Sequence, residues 1–396
     1  MRMYLLALNP TDSVTEGFLP AAARLGLDVT VLTDQPEAHR RRHPQTEVLE
    51  CDVHDFRAVI TCIARHRPAD VIFTNSDHLQ TQAALAAAYF GLPGKDWRAT
   101  LRAKNKAEMR RHLAAVGVDT VRSVELGPGQ DPTALAAADL PYPCVVKPRE
   151  GVASEDVMLV GEPEELVMRA KEIRARRPEA ALVAEEFLAG ELYTLETLGD
   201  GRLRHVLGGF HSVLSAPPTF IEERHEFVAA HPESVREQVL AQLDALGVGF
   251  GACHTEFVVH EGRARLIEVN YRAIGDQCDL LLAQVLDIPL FEHILRTHAG
   301  EPLPADLGAR KDGAARVEYA LADRAGTLTE APEAVDRTVD GVRLAYRPLR
   351  AVGTNHPHYR TNRDYLGVVR AIGTDQGAVN RAVDGFFAAE RWEISR

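Results

Sequence analysis

Residues 252–272 constrain this chain more than any other stretch. They read as two strand-like runs folded back on Glu261 and Gly262, which is a hairpin signal. Side chains alternate between faces along a strand. One face therefore carries Phe257, Val259, Ile267 and Val269, and the other carries His254, Glu256, Glu268, Asn270 and Arg272. A three-residue loop over 261–263 sets Glu256 opposite Glu268 and His254 opposite Asn270. A two-residue loop would set Glu256 opposite Ile267 and mix the faces, so the odd-length loop is expected. Two facing carboxylates repel unless a cation lies between them. Magnesium takes oxygen ligands, usually one or two carboxylates together with substrate phosphates. The alternative is a polar face that simply meets water. The paired glutamates, the apolar reverse face and Arg272 favour a metal–phosphate site.

The rest of the chain supplies a scaffold for that hairpin. Its 396 residues allow two or three domains. Residues 3–8, 29–32 and 69–74 read as strands. Residues 17–25 and 78–90 read as helices, stopped by Gly26 and by Gly91 and Pro93. Short apolar strands separated by helices predict a parallel sheet with crossovers. Ligands bind beyond the carboxyl ends of such strands, so loops 9–13 and 74–77 are candidate substrate contacts. No GxGxxG follows the first strand, so a dinucleotide fingerprint is absent. Residues 97–116 read as one helix closed by Gly117. A strand–helix–strand block follows over 144–188, and 187–260 reads as largely β with a loop at 215–218. Helices are predicted over 234–246, 276–286 and 290–298, and strands over 315–319 and 342–346. No chemical motif is visible from residue 302 onward.

Composition excludes several classes. A net charge of −12 argues against broad binding to nucleic acid or an anionic membrane. The basic run His39-Arg40-Arg41-Arg42-His43 reads as a solvated loop. Five scattered cysteines without CxxC spacing predict neither a disulfide framework nor a zinc site. No apolar run approaches a membrane span. The opening apolar run is too short for a signal peptide and reads as a first strand, so the expected location is cytoplasmic. A homodimer is the assembly that prior frequencies favour.

Three further stretches are weak alone. Lys147 ends the apolar strand-like run 143–148, where it can meet a phosphate as a point charge. The following loop contains Gly151 and Ser154, whose backbone N–H groups can cover phosphates. Residues 182–188 read as a strand running into Ala189 and Gly190; a strand end of this kind can read an adenine edge, with a carboxylate accepting from the amine. Lys104-Asn105-Lys106, taken alone, is a solvated helix face.

In order along the chain, Lys106, Lys147-Pro148, Glu185-Glu186-Phe187-Leu188, Glu256 and Glu268-Val269-Asn270-Tyr271-Arg272 resemble the ATP-grasp superfamily. The resemblance covers roughly residues 97–298 and is nearest the carboxylate–amine ligase branch, which includes L-amino-acid ligases and ligases of siderophore and peptide-antibiotic pathways. It implies an α/β fold, α+β in the grasp. An N-terminal parallel-sheet domain over 1–96 would precede a two-lobed ATP-grasp domain over 97–300, whose small lobe is about 120–188, and an α/β extension over 301–396. It implies ATP with magnesium, or manganese, and small-molecule carboxylate and amine substrates. Lys106 and Lys147 would contact phosphates. Gly151 and Ser154 would belong to the phosphate lid. Glu185 and the backbone of Glu186, Phe187 and Leu188 would hold adenine. Glu256, Glu268 and Asn270 would hold the metal. Arg272 would stabilise the acyl phosphate, with His254 beside it, and His225 would line the acceptor side. The run 274–279 resembles siderophore-pathway ligases. One departure is plain: Leu192 stands where the family often has a ribose-binding Glu, and Glu191 is the nearest substitute. Two other readings on this scaffold are an acyl-phosphate enzyme of the bicarbonate or purine-pathway type and a non-catalytic ATP-binding regulatory protein.

Overall fold

The structure is a computed structural model that describes residues 1–308 and 312–395. The first sheet runs in the order Glu47–Glu50, Asp28–Thr33, Arg2–Leu6, Val71–Phe73, all parallel. Its central strand is buried on both faces, as in other parallel sheets. Met3 and Leu5 pack with Phe18 and Phe73, while Tyr4 and Leu6 pack with Ile63 and Leu79. The α/β expectation for this region holds. The basic run differs from expectation: Pro36–Arg42 is a helix with proline in its first turn. Its His39 is buried, with Nε2 3.1 Å from the Leu8 carbonyl, while the arginines face outward. Loops 9–13 and 74–77 do lie at carboxyl ends, and both reach the segment after the hairpin. Asn75 Oδ1 accepts from the Ala273 N–H at 3.1 Å, and Asp12 Oδ2 accepts from Gln277 Nε2 at 2.8 Å.

A smaller antiparallel sheet has the order Ser123–Leu126, Leu182–Glu186, Cys144–Pro148, Met158–Val160. Helix Pro163–Arg176 covers it through Leu166, Ala170 and Ile173. The dominant sheet is antiparallel and continuous. It runs Arg263–Asn270, Phe250–His260, Glu191–Asp200, Gly209–Leu214, Glu222–Val228, Ala314–Leu321, Tyr365–Gly373, Val342–Pro348, Val335–Val339. Strands from beyond residue 301 thus extend the same sheet that carries the hairpin. One face of the hairpin half packs against helices Trp97–Lys104, Lys106–Ala115 and Glu233–Leu246 through Leu195, Phe257, Leu266 and Val269. Among the described residues, no helix is long and apolar enough to cross a membrane.

Two local departures from expectation shape the site. The stretch expected as one helix over 97–116 breaks at Asn105, which leaves helical geometry at φ −90°, ψ 99°. Asn105 Oδ1 accepts from the Glu108 N–H at 3.0 Å and so caps the second helix. The break buries Lys106 rather than leaving it on a solvated face. In the hairpin, the loop is the two-residue turn Glu261-Gly262, both with φ positive (+50° and +75°), and His260 pairs with Arg263. Glu256 still faces Glu268 and His254 still faces Asn270, because a bulge at Ile267 shifts the register by one. The bulge turns Ile267 away from Phe257 and toward Val258, Leu188 and Leu192.

Candidate active site

The cleft between the small sheet and the dominant sheet encloses a cavity of about 550 Å³. Val145, Phe187, Leu188, Leu192, Leu214, Phe220 and Ile267 give it apolar lining, and Lys106, Lys147, Glu256 and Glu268 give it charge. Gly190 makes the turn between the sheets at φ +135°, where a Cβ would stand 2.5 Å from the Val259 carbonyl oxygen. Only glycine fits there.

The cations come from helix Lys106–Ala115 and strand Cys144–Pro148. Lys106 Nζ donates to Glu268 Oε1 at 2.7 Å and to the Gly151 carbonyl at 3.3 Å. Burial opposes its charge, yet Glu268 raises its pKa. Lys147 Nζ donates to Glu185 Oε1, and Arg110 Nε and Nη2 reach the same carboxylate at 2.9 and 3.2 Å. Burial pushes the Glu185 carboxyl up, but Arg110 and Lys147 outweigh it and bring it down to about 2. Three of its bonds go to two cations, so its first task is to hold Lys147 in place. Glu186 likewise accepts from Arg265 Nη2 at 2.6 Å and from the Arg122 N–H at 3.2 Å. The Phe187 N–H is taken by the Pro143 carbonyl at 3.2 Å, whereas no hydrogen bond within the described residues uses the Leu188 N–H. Gly151 and Ser154 lie in the loop after Pro148, on the cavity wall. Leu192 is buried in that wall. Glu191 is exposed and accepts from its neighbour Tyr193 through the hydroxyl at 2.8 Å.

Along the hairpin face the acids and histidines form a line. Glu196, from the neighbouring strand, pairs with His254 in register. His254 Nδ1 lies 2.7 Å from Glu196 Oε1, and its Nε2 lies 3.3 Å from Glu256 Oε1. Burial pulls His254 down, but the two carboxylates raise it to about 10, so it is an imidazolium at neutral pH. Asn270 Nδ2 donates to Glu256 at 3.2 Å. Among the described residues, no three His, Cys, Asp or Glu side chains form a self-contained metal cage. Two opposed carboxylates beside an amide oxygen suit a magnesium ion whose remaining ligands are phosphate and water oxygens.

A second cavity of about 150 Å³ adjoins the first. Glu222, Glu256, Glu268 and Val152 belong to the walls of both. Arg272, Asp276, His225, His254 and Asn362 line its far side. Asp276 and Gln277 are consecutive non-glycine residues in the left-handed region, at φ +51° and +68°. Backbone strain of this kind gathers at ligand sites. His225 Nδ1 lies 2.8 Å from Ser212 Oγ, and burial, then His254, bring its pKa down to about 4. Glu222 is a residue the sequence reading missed. Burial, then Glu256 and Asp276, push its carboxyl up to about 8. Strand parity puts residues 222 and 225 on opposite faces, but a bulge at Glu223 turns both toward the cavity. Glu196, Arg110 and Asn362 were also missed.

The model for the ATP-grasp domain matches residues 140–280. These residues are an ATP-grasp domain. The full length also superposes on an L-amino acid ligase from Bacillus licheniformis with a TM-score of 0.81 at 21% identity, covering 100% of this chain and 99% of that one. The likeness is one of fold. An uncharacterized protein of Sinorhizobium fredii is 26% identical over 100% of this chain and 84% of its own. A formate-dependent phosphoribosylglycinamide formyltransferase of Ignicoccus hospitalis is 27% identical over 71% of this chain and 72% of its own. The whole hairpin and three of the four strands of the small sheet fall within the matched residues, while strand Ser123–Leu126 precedes them.

Proposed function

We propose that this protein is a ligase that activates a carboxylate as an acyl phosphate and joins it to an amine. The observation that carries the reading is the shared wall of the two cavities. Glu222, Glu256 and Glu268 separate a nucleotide-sized space from a small acid-lined one. In this reading the Leu188 N–H meets the adenine edge, and Lys106 and Lys147 meet the phosphates. Glu256, Glu268 and Asn270 would hold magnesium, which supplies charge neutralisation between the γ-phosphate and the attacking carboxylate. Arg272 holds the carboxylate and, later, the developing oxyanion. Glu222 and Asp276, whose carboxyls burial pushes up, form an acid wall that becomes anionic when an ammonium group settles against it. Attack of the carboxylate on the γ-phosphate releases ADP; the ammonium then passes a proton to the Glu222 carboxylate, and attack of the resulting amine on the acyl carbon releases phosphate. His254 stays charged between Glu196 and Glu256 and keeps the latter ionised. The loop over 149–157 keeps water from the acyl phosphate.

Support for the ligase class is the ATP-grasp domain itself. Support for the carboxylate–amine branch is the fold likeness to an L-amino acid ligase and the acid-lined cavity. A place in specialised metabolism such as siderophore assembly rests on the run 274–279 alone, which forms part of that cavity's floor. The test offers carboxylates and amines pairwise with MgATP and follows ADP, phosphate and the mass of the product. Release of ADP that needs both partners supports the reading, and release without any amine dependence sinks it. The second reading, a one-carbon acyl-phosphate enzyme, draws on the 27% identical formate-dependent relative and on the small size of the acceptor cavity. Formate- or bicarbonate-dependent ADP release without an amine would favour it.

A further inference from the structure

A loop of the C-terminal region over 356–364 reaches the wall between the two cavities, and its shape is fixed from within. The Asp364 carboxylate accepts from the N–H groups of Tyr359 and Arg360 at 2.8 and 2.6 Å and lies 2.9 Å from His356 Nε2. Thr361 Oγ1 accepts from the Arg363 N–H at 3.2 Å. A loop tied this way presents Asn362 in one orientation. Asn362 Oδ1 accepts from the Glu222 N–H at 3.2 Å, and Asn362 Nδ2 donates to Glu222 Oε2 at 2.9 Å. The same residue's N–H points at the Ala153 carbonyl at 3.4 Å, and Arg363 pairs with Glu155. Both partners lie in the loop that covers the larger cavity. Within that loop Ala153, Ser154 and Asp156 all have left-handed backbone, at φ +55°, +55° and +57°. Non-glycine residues hold such angles only where their surroundings enforce them. Here the enforcement includes Arg363 and Arg177 on Glu155, and Arg176 on Asp156.

We propose that Asn362 is a positioning residue that ties closure of the 151–157 loop to the placement of the Glu222 carboxylate. The role given to Glu222 rests on the ligase reading above. One side chain grips the acceptor wall while its own backbone and its neighbour grip the cover of the nucleotide site. The reactive acyl phosphate is then sealed from water in the same arrangement that sets the amine side.

The test uses Asn362→Asp, which keeps the acceptor for the Glu222 N–H and replaces the donor with a second anionic oxygen. With the twenty common L-amino acids offered pairwise, its amine KM should rise by about tenfold, the scale of a lost hydrogen bond to a charged group. KM for MgATP should stay near the parent value, and less amide should form per ADP released. Asn362→Ala should move in the same direction. Arg363→Ala should speed amide hydrogen exchange across 151–157 in the presence of MgATP. Parent-like amine KM and coupling in Asn362→Asp overturn the proposal, as does a loss of kcat with amine KM unchanged, the mark of general damage. Unchanged exchange in Arg363→Ala also overturns it. If the parent releases no ADP with any pair, the ligase reading falls, and the exchange measurement still decides whether the C-terminal loop holds the cover.

Discussion

Glu185→Gln removes the anion that Arg110 and Lys147 share and leaves the two cations facing one another. The side chains of Arg110, Glu185 and Lys147 are 2%, 3% and 6% exposed. Removing one partner from a buried ion pair costs about 3–5 kcal/mol, because the remaining charge is stranded in a medium that solvates it poorly. The displaced carboxyl gives a second figure. It moves from 4.5 to about 2, which amounts to about 3 kcal/mol in favour of the folded state. Lys147 is itself pulled below its ordinary range by burial, so the gain comes chiefly from the two bonds of Arg110. A loss of about 3 kcal/mol corresponds to a fall in melting temperature of roughly 4 °C for a chain of this size. Scanning calorimetry on parent and variant across pH measures it. A carboxyl lowered by folding stabilises above its unfolded pKa, and that stability disappears as pH falls through the folded value. The gap should therefore be full at neutral pH and close between about 4.5 and about 2. A variant melting within about 2 °C of the parent at neutral pH would refute the reasoning, and so would a gap that persists to the acid end.

Two other outcomes follow from the same geometry. Glu268→Gln keeps the bond to Lys106 in shape but removes a charge from the proposed metal pair, so MgATP-dependent turnover should fall by at least about a hundredfold with the circular dichroism unchanged; full activity rules out the assignment. Lys95 is buried, donates to Gln80 Oε1 at 2.7 Å and to the Tyr271 carbonyl, and is pulled by burial from 10.5 to about 7. A base with a lowered pKa binds fewer protons folded than unfolded, so folding gains stability as pH rises through that window. Denaturation of Lys95→Met beside the parent should show the difference moving in the parent's favour from about pH 7 to about pH 10.5, and no such trend would refute it.

The hairpin shows how far sequence reading reaches. The opposition of Glu256 to Glu268 was legible from the segregation of polar and apolar residues, but the loop length inferred from it was not. A two-residue turn and a bulge give the same pairing at that point as a three-residue turn without one. Parity counts residues and is blind to an extra one, which is also why Glu222 stayed hidden behind the bulge at Glu223. The burial of Lys106 did leave a signal. Asn105 followed by Glu108 has the spacing of a helix start, and it marks the break that a run of helix formers conceals. The Arg110–Glu185 and Asn362–Glu222 contacts left none, since each joins residues far apart in sequence through an ordinary-looking pair. The parallel order of the first sheet was readable because strand, helix and stop signals repeat at short range. The strand Glu47–Glu50, too short and polar for that pattern, was not.

The continuity of the dominant sheet has a consequence for how the molecule comes into being. Strand Glu222–Val228 lies between Gly209–Leu214 and Ala314–Leu321. During synthesis the first neighbour is at hand early, but the second does not exist until the ribosome has passed residue 321. Until then the strand that carries Glu222 and His225 is a bare edge, open to pairing with another nascent chain. The wall proposed for the acceptor is thus among the last surfaces to be completed, and a product cut short after the hairpin Phe250–Asn270 would expose that edge.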